Sequence, residues 1–356
     1  MKHRRQDSAD RAAPDPAWDQ RQVWPAQPGP AGRPGPPAAQ PASRHLPKPI
    51  VMVSAAALVL IAIIVAVGRD LGSSAPRAPA IILPSAPRSY LGLYERGATT
   101  SYTGVNQFAR AIGRQPNLVS YYSGWGVPFQ TGFAAAAVQH GAVPLVQIDP
   151  ESIPLSAIAS GRYDSYLRAF ADAVRSYQHP VVIGFGHEMN AWWYSWGYPH
   201  ASAQSFVAAW RHIVTVFRAQ GAWNATWMWT INVIGLQQAR TVRPPGPWWP
   251  GSSYVTWVGI DGYYFEPSWT FAPLFGPTIK AVRALTHDPI LISETAAGST
   301  ENQPAKIADL FAGTRAYGLL GFVWFNVNKE QNWRVTGPAA VAAFRRGART
   351  YRRPQP

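Results

Sequence analysis

Beyond residue 88, eight short runs rich in β-branched and aromatic residues recur at 90–94, 118–122, 143–148, 181–185, 226–231, 255–260, 289–292 and 320–325. Stretches with helical spacing separate most of them. The clearest are 166–177, 203–220, 273–285, 304–317 and 338–351, with shorter ones at 105–112 and 132–140. The fifth connection, 233–252, is rich in Pro and Gly and reads as a loop with at most one helical turn. Alternation repeated eight times over roughly 270 residues is the pattern of a (β/α)8 TIM barrel, an α/β fold. An open doubly wound sheet alternates in the same way. LGLYERGATTSYTG, which holds the first run, nevertheless lacks the Gly-x-Gly-x-x-Gly phosphate fingerprint of that class.

The sequence before the barrel has a different character. Residues 1–48 carry eight Lys/Arg, four Asp, ten Pro and few aliphatic side chains larger than alanine. Such a stretch buries too little apolar area to offset its ordering entropy, so a disordered N-terminal tail is expected. Residues 50–67, IVMVSAAALVLIAIIVAV, are 18 consecutive residues without a charge. At about 1.5 Å per residue they reach roughly 27 Å, close to the hydrocarbon thickness of a bilayer. We expect one transmembrane helix at 49–68, a signal anchor, with a Gly/Ser/Pro-rich linker at 69–87 and the barrel at 88–356. Arg44, His45 and Lys48 on the N-terminal flank place that terminus in the cytoplasm and the barrel outside the cell. Cleavage behind the apolar run, giving a secreted protein, is the alternative.

The net charge of +14 raises nucleic acid as a partner, but its distribution argues against it. The tail is +4, and five arginines crowd the end of the chain at 345, 346, 349, 352 and 353. A nucleic-acid groove interleaves its charge with its aromatics, and this chain does not. No cysteine is present, which excludes thiol nucleophiles and thiolate-bound metals.

In a (β/α)8 barrel, chemistry sits where the strands end. The expected strand ends carry Tyr94-Glu95, Ser123–Trp125, Gln147 and Asp149, His187-Glu188-Met189-Asn190, Trp229 and Asn232, Asp261–Tyr264, Ser293-Glu294, and Asn326 with Lys329. Two glutamates stand out. Glu188 closes the fourth strand and Glu294 the seventh, so both are expected over one mouth. A carboxyl pair suits retaining glycoside hydrolysis, in which one acts as acid/base and the other as nucleophile. Phe185, Met189, Trp192 and Trp193 surround Glu188 in sequence, and desolvation there raises a carboxyl pKa, as an acid requires. His187-Glu188 is no zinc motif, since Ala191 stands where a second histidine is needed. Neither metal nor cofactor is expected.

The segment GFGHEMNAWWYSWG, followed by ISETA, resembles glycoside hydrolase family 26, which includes β-mannanases on retaining (β/α)8 barrels. WVGIDGYYF and WFNVNKEQNWR support the resemblance, which covers most of 88–356. It implies that Glu188 is the acid/base and Glu294 the nucleophile. It implies that His187 lies near the sugar 2-hydroxyl or the nucleophile, that Tyr263 orients the nucleophile, and that Trp193 and Trp324 stack on sugar. Asn190, Trp229 and Trp125 complete the expected substrate-binding set. The chain departs from the family pattern at Ala191, usually Gly, and at Gly184-Phe185-Gly186, where an Arg is frequent.

The expected activity is therefore that of a retaining endo-β-glycanase, mannanase-like, monomeric and acting on a β-linked polysaccharide at the membrane. Two alternatives stand beside it. One is a tethered enzyme that trims or transglycosylates the cell's own exopolysaccharide. The other is a glycan-binding barrel without catalysis, built on its many tryptophans, whose rings pack on sugar faces.

Overall fold

The computed structural model describes residues 83–236, 241–329 and 331–351. The expected tail at 1–48, the span at 49–68 and most of the 69–87 linker lie outside the described residues. Among the described residues, no helix is long and apolar enough to cross a membrane.

The eight expected runs form eight strands: β1 (Tyr90–Tyr94), β2 (Leu118–Gly124), β3 (Val143–Asp149), β4 (Val181–Phe185), β5 (Ala225–Asn232), β6 (Trp257–Asp261), β7 (Ile290–Thr295) and β8 (Gly321–Phe325). Each pairs in parallel with the next, and β8 pairs with β1, closing the barrel. The helices are α1 (Thr103–Ile112), α2 (Thr131–Gln139), α3 (Leu155–Ala159), α4 (Asp164–Tyr177), α5 (Ala203–Ala219), α6 (Phe271–Arg283), α7 (Gln303–Ala316) and α8 (Gly337–Ala348). The β5–β6 connection holds a 3₁₀ turn at Gly246–Trp248. The (β/α)8 architecture expected from the alternation is thus observed.

Several strands run further toward their C-terminal ends than their apolar runs do. Gly124, Asp149, Asn232 and Glu294 all remain in register with a neighbouring strand. Hydropathy ends early there because these residues face the mouth rather than the core. The ladder shifts register between Ile260 and Asp261 and between Ile292 and Thr295. Such irregularities re-aim side chains, and here they flank the residues that end β6 and β7.

The helices pack on the barrel through one apolar stripe each. α5 buries Phe206, Ala209, Trp210, Ile213, Val214 and Phe217. Its first turn is capped by Ser202, whose hydroxyl accepts from the Ser205 N–H at 3.1 Å. On the far side, Phe322 of β8 meets Phe311 of α7 at 4.9 Å and Phe344 of α8 at 6.0 Å.

Part of the barrel interior is polar. Gln147 donates to the Thr230 hydroxyl at 2.9 Å, and Ser293 donates to Asp261 at 2.6 Å. Two glycines make room for this layer. A Cβ at Gly184 would stand 1.8 Å from the Gln147 Oε1, and one at Gly259 would stand 2.5 Å from the Ser293 hydroxyl.

Candidate active site

The chain leaves β4 by an abrupt turn. Gly186 has φ +54°, and Glu188 has φ +55°, a left-handed conformation that is costly for a side chain with a Cβ. Backbone bonds hold it there. The Gly186 N–H donates to Ile148 O of β3, and the Glu188 N–H donates to Thr230 O of β5. The strained residue is therefore pinned between the two neighbouring strands, with its carboxyl directed to the mouth.

Both oxygens of that carboxyl are occupied. Trp193 Nε1 donates to Oε2 at 2.7 Å, and Asn232 Nδ2 donates to Oε1 at 2.5 Å. Burial raises the Glu188 pKa, and this outweighs the opposing effects of the His187 charge, the two hydrogen bonds and the Lys329 charge.

Glu294 ends up in a different setting. The Tyr263 hydroxyl donates to its Oε2 at 2.5 Å. The Tyr263 ring is in turn stacked on Trp333, with centroids 4.5 Å apart and planes 23° from parallel. A carboxylate that accepts from a phenol fixed in this way is held in one orientation.

Between them lies a buried acid–base network. His187 Nδ1 donates to Asp149 Oδ1 at 2.8 Å, and its Nε2 is 3.0 Å from the Tyr194 hydroxyl. Burial works against the imidazolium. The Asp149 carboxylate more than offsets this, together with Glu188 and Asp261, and the His187 pKa rises to about 9. His187 is therefore charged at neutral pH, with both ring nitrogens donating. Asp261 is pushed well above the usual carboxylate range, first by burial and then by the nearby Glu188 charge. Tyr194 stacks on Trp196 at 4.3 Å, and the Trp196 indole donates to His187 O at 2.9 Å. The loop after β4 thereby folds back onto its own histidine.

A buried glutamate with a raised pKa and a second glutamate held by a tyrosine, at the ends of β4 and β7, form a two-carboxyl site on a closed barrel. The sequence comparisons agree with that chemistry. The sequence profile of glycosyl hydrolase family 26 matches residues 116–290, just under half of the chain. Over that stretch the chain is similar to glycosyl hydrolase family 26.

Endoglucanase H of Acetivibrio thermocellus is 28% identical over 266 residues, which cover 70% of this chain and 29% of that protein. A β-1,3-xylanase of a Vibrio species is 24% identical over 181 residues, covering 46% of this chain and 36% of its own length. The chain therefore spans about a third of the curated relatives it matches. Among solved structures, a family 26 β-mannanase from Bacteroides ovatus superposes with a TM-score of 0.54 at 16% identity, covering 74% of this chain and 89% of that one. The family 26 endo-β-1,4-mannanase of Bacillus sp. JAMB-750 gives a TM-score of 0.57 at 15% identity, over 74% and 86%. At such identities the structures share the fold.

Within this barrel the expected site residues separate into three groups. Glu188, Glu294, His187, Trp193 and Tyr263 come together at the mouth. Asn190 is fully buried one step behind. Its side chain donates to Asn232 O and Arg243 O and accepts from the Asn232 N–H, so it holds the end of β5 that reaches Glu188. Trp324, Trp229 and Trp125 stand elsewhere. The Trp324 ring is fully buried against Phe344 of α8, and the Trp229 ring is fully buried against Trp249. Trp125 packs on Tyr163, Tyr166 and Phe185 outside the rim. Strand alternation explains the first two. Phe325 faces the mouth, stacked on Tyr94 at 4.3 Å, so Trp324 faces the helices. Asn232 and Thr230 face inward, so Trp229 faces out. The aromatic beside Tyr263 is Trp333, from the loop after β8.

Asp149, Asn232, Tyr194 and Trp333 are the partners absent from the expected binding set. Asp149 and Asn232 carried a signal, since both end strands. Tyr194 and Trp333 lie in loops, where sequence offers no register from which to derive a contact.

Proposed function

We propose that the barrel is a retaining glycoside hydrolase that cleaves within a β-linked polysaccharide, mannan or a similar β-1,4-linked glycan. The observation that carries this reading is the unequal setting of the two glutamates. Burial raises the Glu188 pKa, as a general acid requires, and the Tyr263 hydroxyl donates a hydrogen bond that holds the Glu294 carboxylate. The names of the relatives support the substrate class: an endoglucanase in sequence and mannanases in structure.

Glu294 attacks the anomeric carbon and forms a glycosyl ester as the bond to the leaving oxygen breaks. Glu188 gives its proton to that oxygen. Water then attacks the same carbon, Glu188 takes the water's proton, and the Glu294 carboxylate departs. Trp193 and Asn232 hold the Glu188 carboxyl during both transfers. His187, kept charged by Asp149, limits how far the Glu188 pKa climbs. The same reading places residues 50–67 in a bilayer with the barrel outside the cell.

The test is digestion of β-mannan, mixed-linkage β-glucan, β-1,3-xylan and the host's own exopolysaccharide, with product analysis. Shorter oligosaccharides released first as the β-anomer are expected. A first product of inverted configuration would overturn the double displacement, and binding without cleavage of any polymer would overturn hydrolysis. Release from the host polymer alone would move the substrate to an own-polymer role.

A further inference from the structure

The carboxylates of the barrel gather at its mouth, where Arg96, Arg243, Lys329 and Arg334 also lie. Glu95, Asp149, Glu188, Asp261 and Glu294 end strands or directly follow them, and Glu151 lies in the loop after β3. All belong to the mouth. Among the described residues, Asp288 is the only carboxylate in a loop leading into a strand. The other end is basic. The last turns of α1, α4, α5, α6, α7 and α8 each carry an arginine or lysine.

This charge is concentrated at the seam of α1 and α8. A cleft of 1120 Å³ there is lined by Arg114, Arg345 and Arg349, with Gln115, Asn117 and Tyr351, and by no carboxylate. Arg346 is exposed beside it, and Arg88 reaches Thr350 O at 3.0 Å. Part of this charge serves helix ends. Arg114 donates to Ala348 O and Tyr351 O, both at 3.0 Å, and Arg345 donates to Ala111 O at 2.7 Å. The carbonyl that accepts from Arg345 carries no compensating unit charge, so the charge of that side chain stays in place. The field of the cluster therefore remains directed outward.

The chain also enters the barrel at this end. Leu83 to Ser89 lead into β1, and the apolar run 50–67 lies only fifteen residues before Leu83 in sequence. Fully extended, fifteen residues reach about 50 Å, and a flexible coil of that length averages roughly 20 Å.

We propose that the basic end of the barrel docks on an anionic lipid surface, through Arg88, Arg114, Arg345, Arg346 and Arg349. The mouth then faces away from the bilayer, toward polymer. A surface of anionic headgroups attracts each nearby basic side chain, so the arginine cluster sets the orientation. The nearness argument rests on the membrane reading of residues 50–67; the charge argument does not.

The absence of cysteine makes the test direct. The full chain carrying Ala316→Cys at the basic end, or Ser268→Cys in the loop after β6, is labelled with a fluorescent donor. It is then reconstituted in nanodiscs that carry a headgroup acceptor. With about one-third phosphatidylglycerol, strong energy transfer is expected from position 316 and weak transfer from 268. With neutral phosphatidylcholine the difference should shrink, as it should at 0.5 M salt (about a 4 Å screening length). Arg345→Glu, Arg346→Glu and Arg349→Glu together should weaken attachment to anionic vesicles on the order of 100-fold.

Equal transfer from both labels, or transfer unchanged by the triple variant, overturns the proposal. So does displacement from anionic discs by a 20-nucleotide strand at submicromolar concentration, which would assign the face to nucleic acid. If the chain pellets with anionic vesicles but not with neutral ones, the docking face stands and the anchor reading fails. If it pellets with neither, both fail.

Discussion

At the residue scale, the site depends on how one backbone conformation presents one carboxyl. Glu188 occupies a left-handed φ that costs on the order of 1–3 kcal/mol, and its neighbours hold it there. Glu188→Ala and Glu294→Ala are each expected to lower turnover about 10³-fold or more while circular dichroism stays unchanged. Azide is expected to restore part of the rate in one of the two on an activated aryl glycoside, with an α-azide product for Glu294→Ala and a β-azide product for Glu188→Ala. Trp193→Phe removes a bond that favours ionised Glu188, so its pKa rises further. The alkaline limb of kcat, where the acid loses its proton, is expected to move to higher pH in that variant. A limb that stays put would detach Trp193 from the acid.

The His187–Asp149 pair has a separate signature. The folded His187 pKa of about 9 lies above the unfolded value of about 6.5. Stabilisation is therefore complete below pH 6.5 and lost as pH rises through 9, on the order of 3 kcal/mol in all. Urea midpoints measured at pH 6 and pH 9.5 should show that fall in the parent and a much smaller one in Asp149→Asn. Asp261 follows the opposite logic from an ordinary ion-paired carboxylate. Its raised pKa makes ionisation above pH 4 a cost to the fold, so Asp261→Asn should match or exceed the parent midpoint at pH 7.

At the scale of elements, the eight runs were legible because a strand buried on both faces reads as an apolar run. Their C-terminal limits were less legible, since the side chains that extend them are polar and belong to the mouth. Which face a strand residue takes was the least accessible property. Phe325 and Trp324 are adjacent, both aromatic, and equally fit to stack on a sugar. Pairing with β1 puts one at the mouth and the other under α8. Glycine positions also depend on pairing. Gly321 has φ +143°, and a Cβ there would stand 1.8 Å from Tyr90 O, a backbone atom that cannot rotate away. Gly321→Ala is expected to lower stability by about 1–3 kcal/mol, read as a reduced urea midpoint, without changing the pH profile of activity in the folded fraction.

At the scale of the molecule, parallel topology sorts residues by their position along each βα unit. Residues that follow strands gather at the mouth, and residues that end helices gather opposite. The arginine cluster on α8 is thereby separated from the two glutamates by the height of the barrel, well beyond a Debye length of about 8 Å. Reversing Arg345, Arg346 and Arg349 is accordingly expected to leave kcat/KM on a soluble oligosaccharide within about twofold of the parent. A larger loss would mean that the far end influences the carboxyls.

The sequence alone determined the barrel and the two glutamates that close its fourth and seventh strands. Both follow from periodicity, which is local and survives in a linear string. The tertiary structure decided which aromatics face the mouth, that Asn232 and Tyr263 hold the two carboxyls, and that Asp149 keeps His187 charged. Each of these depends on register between strands that lie far apart in the chain. Contact between such strands is set by barrel closure, and no local pattern encodes it.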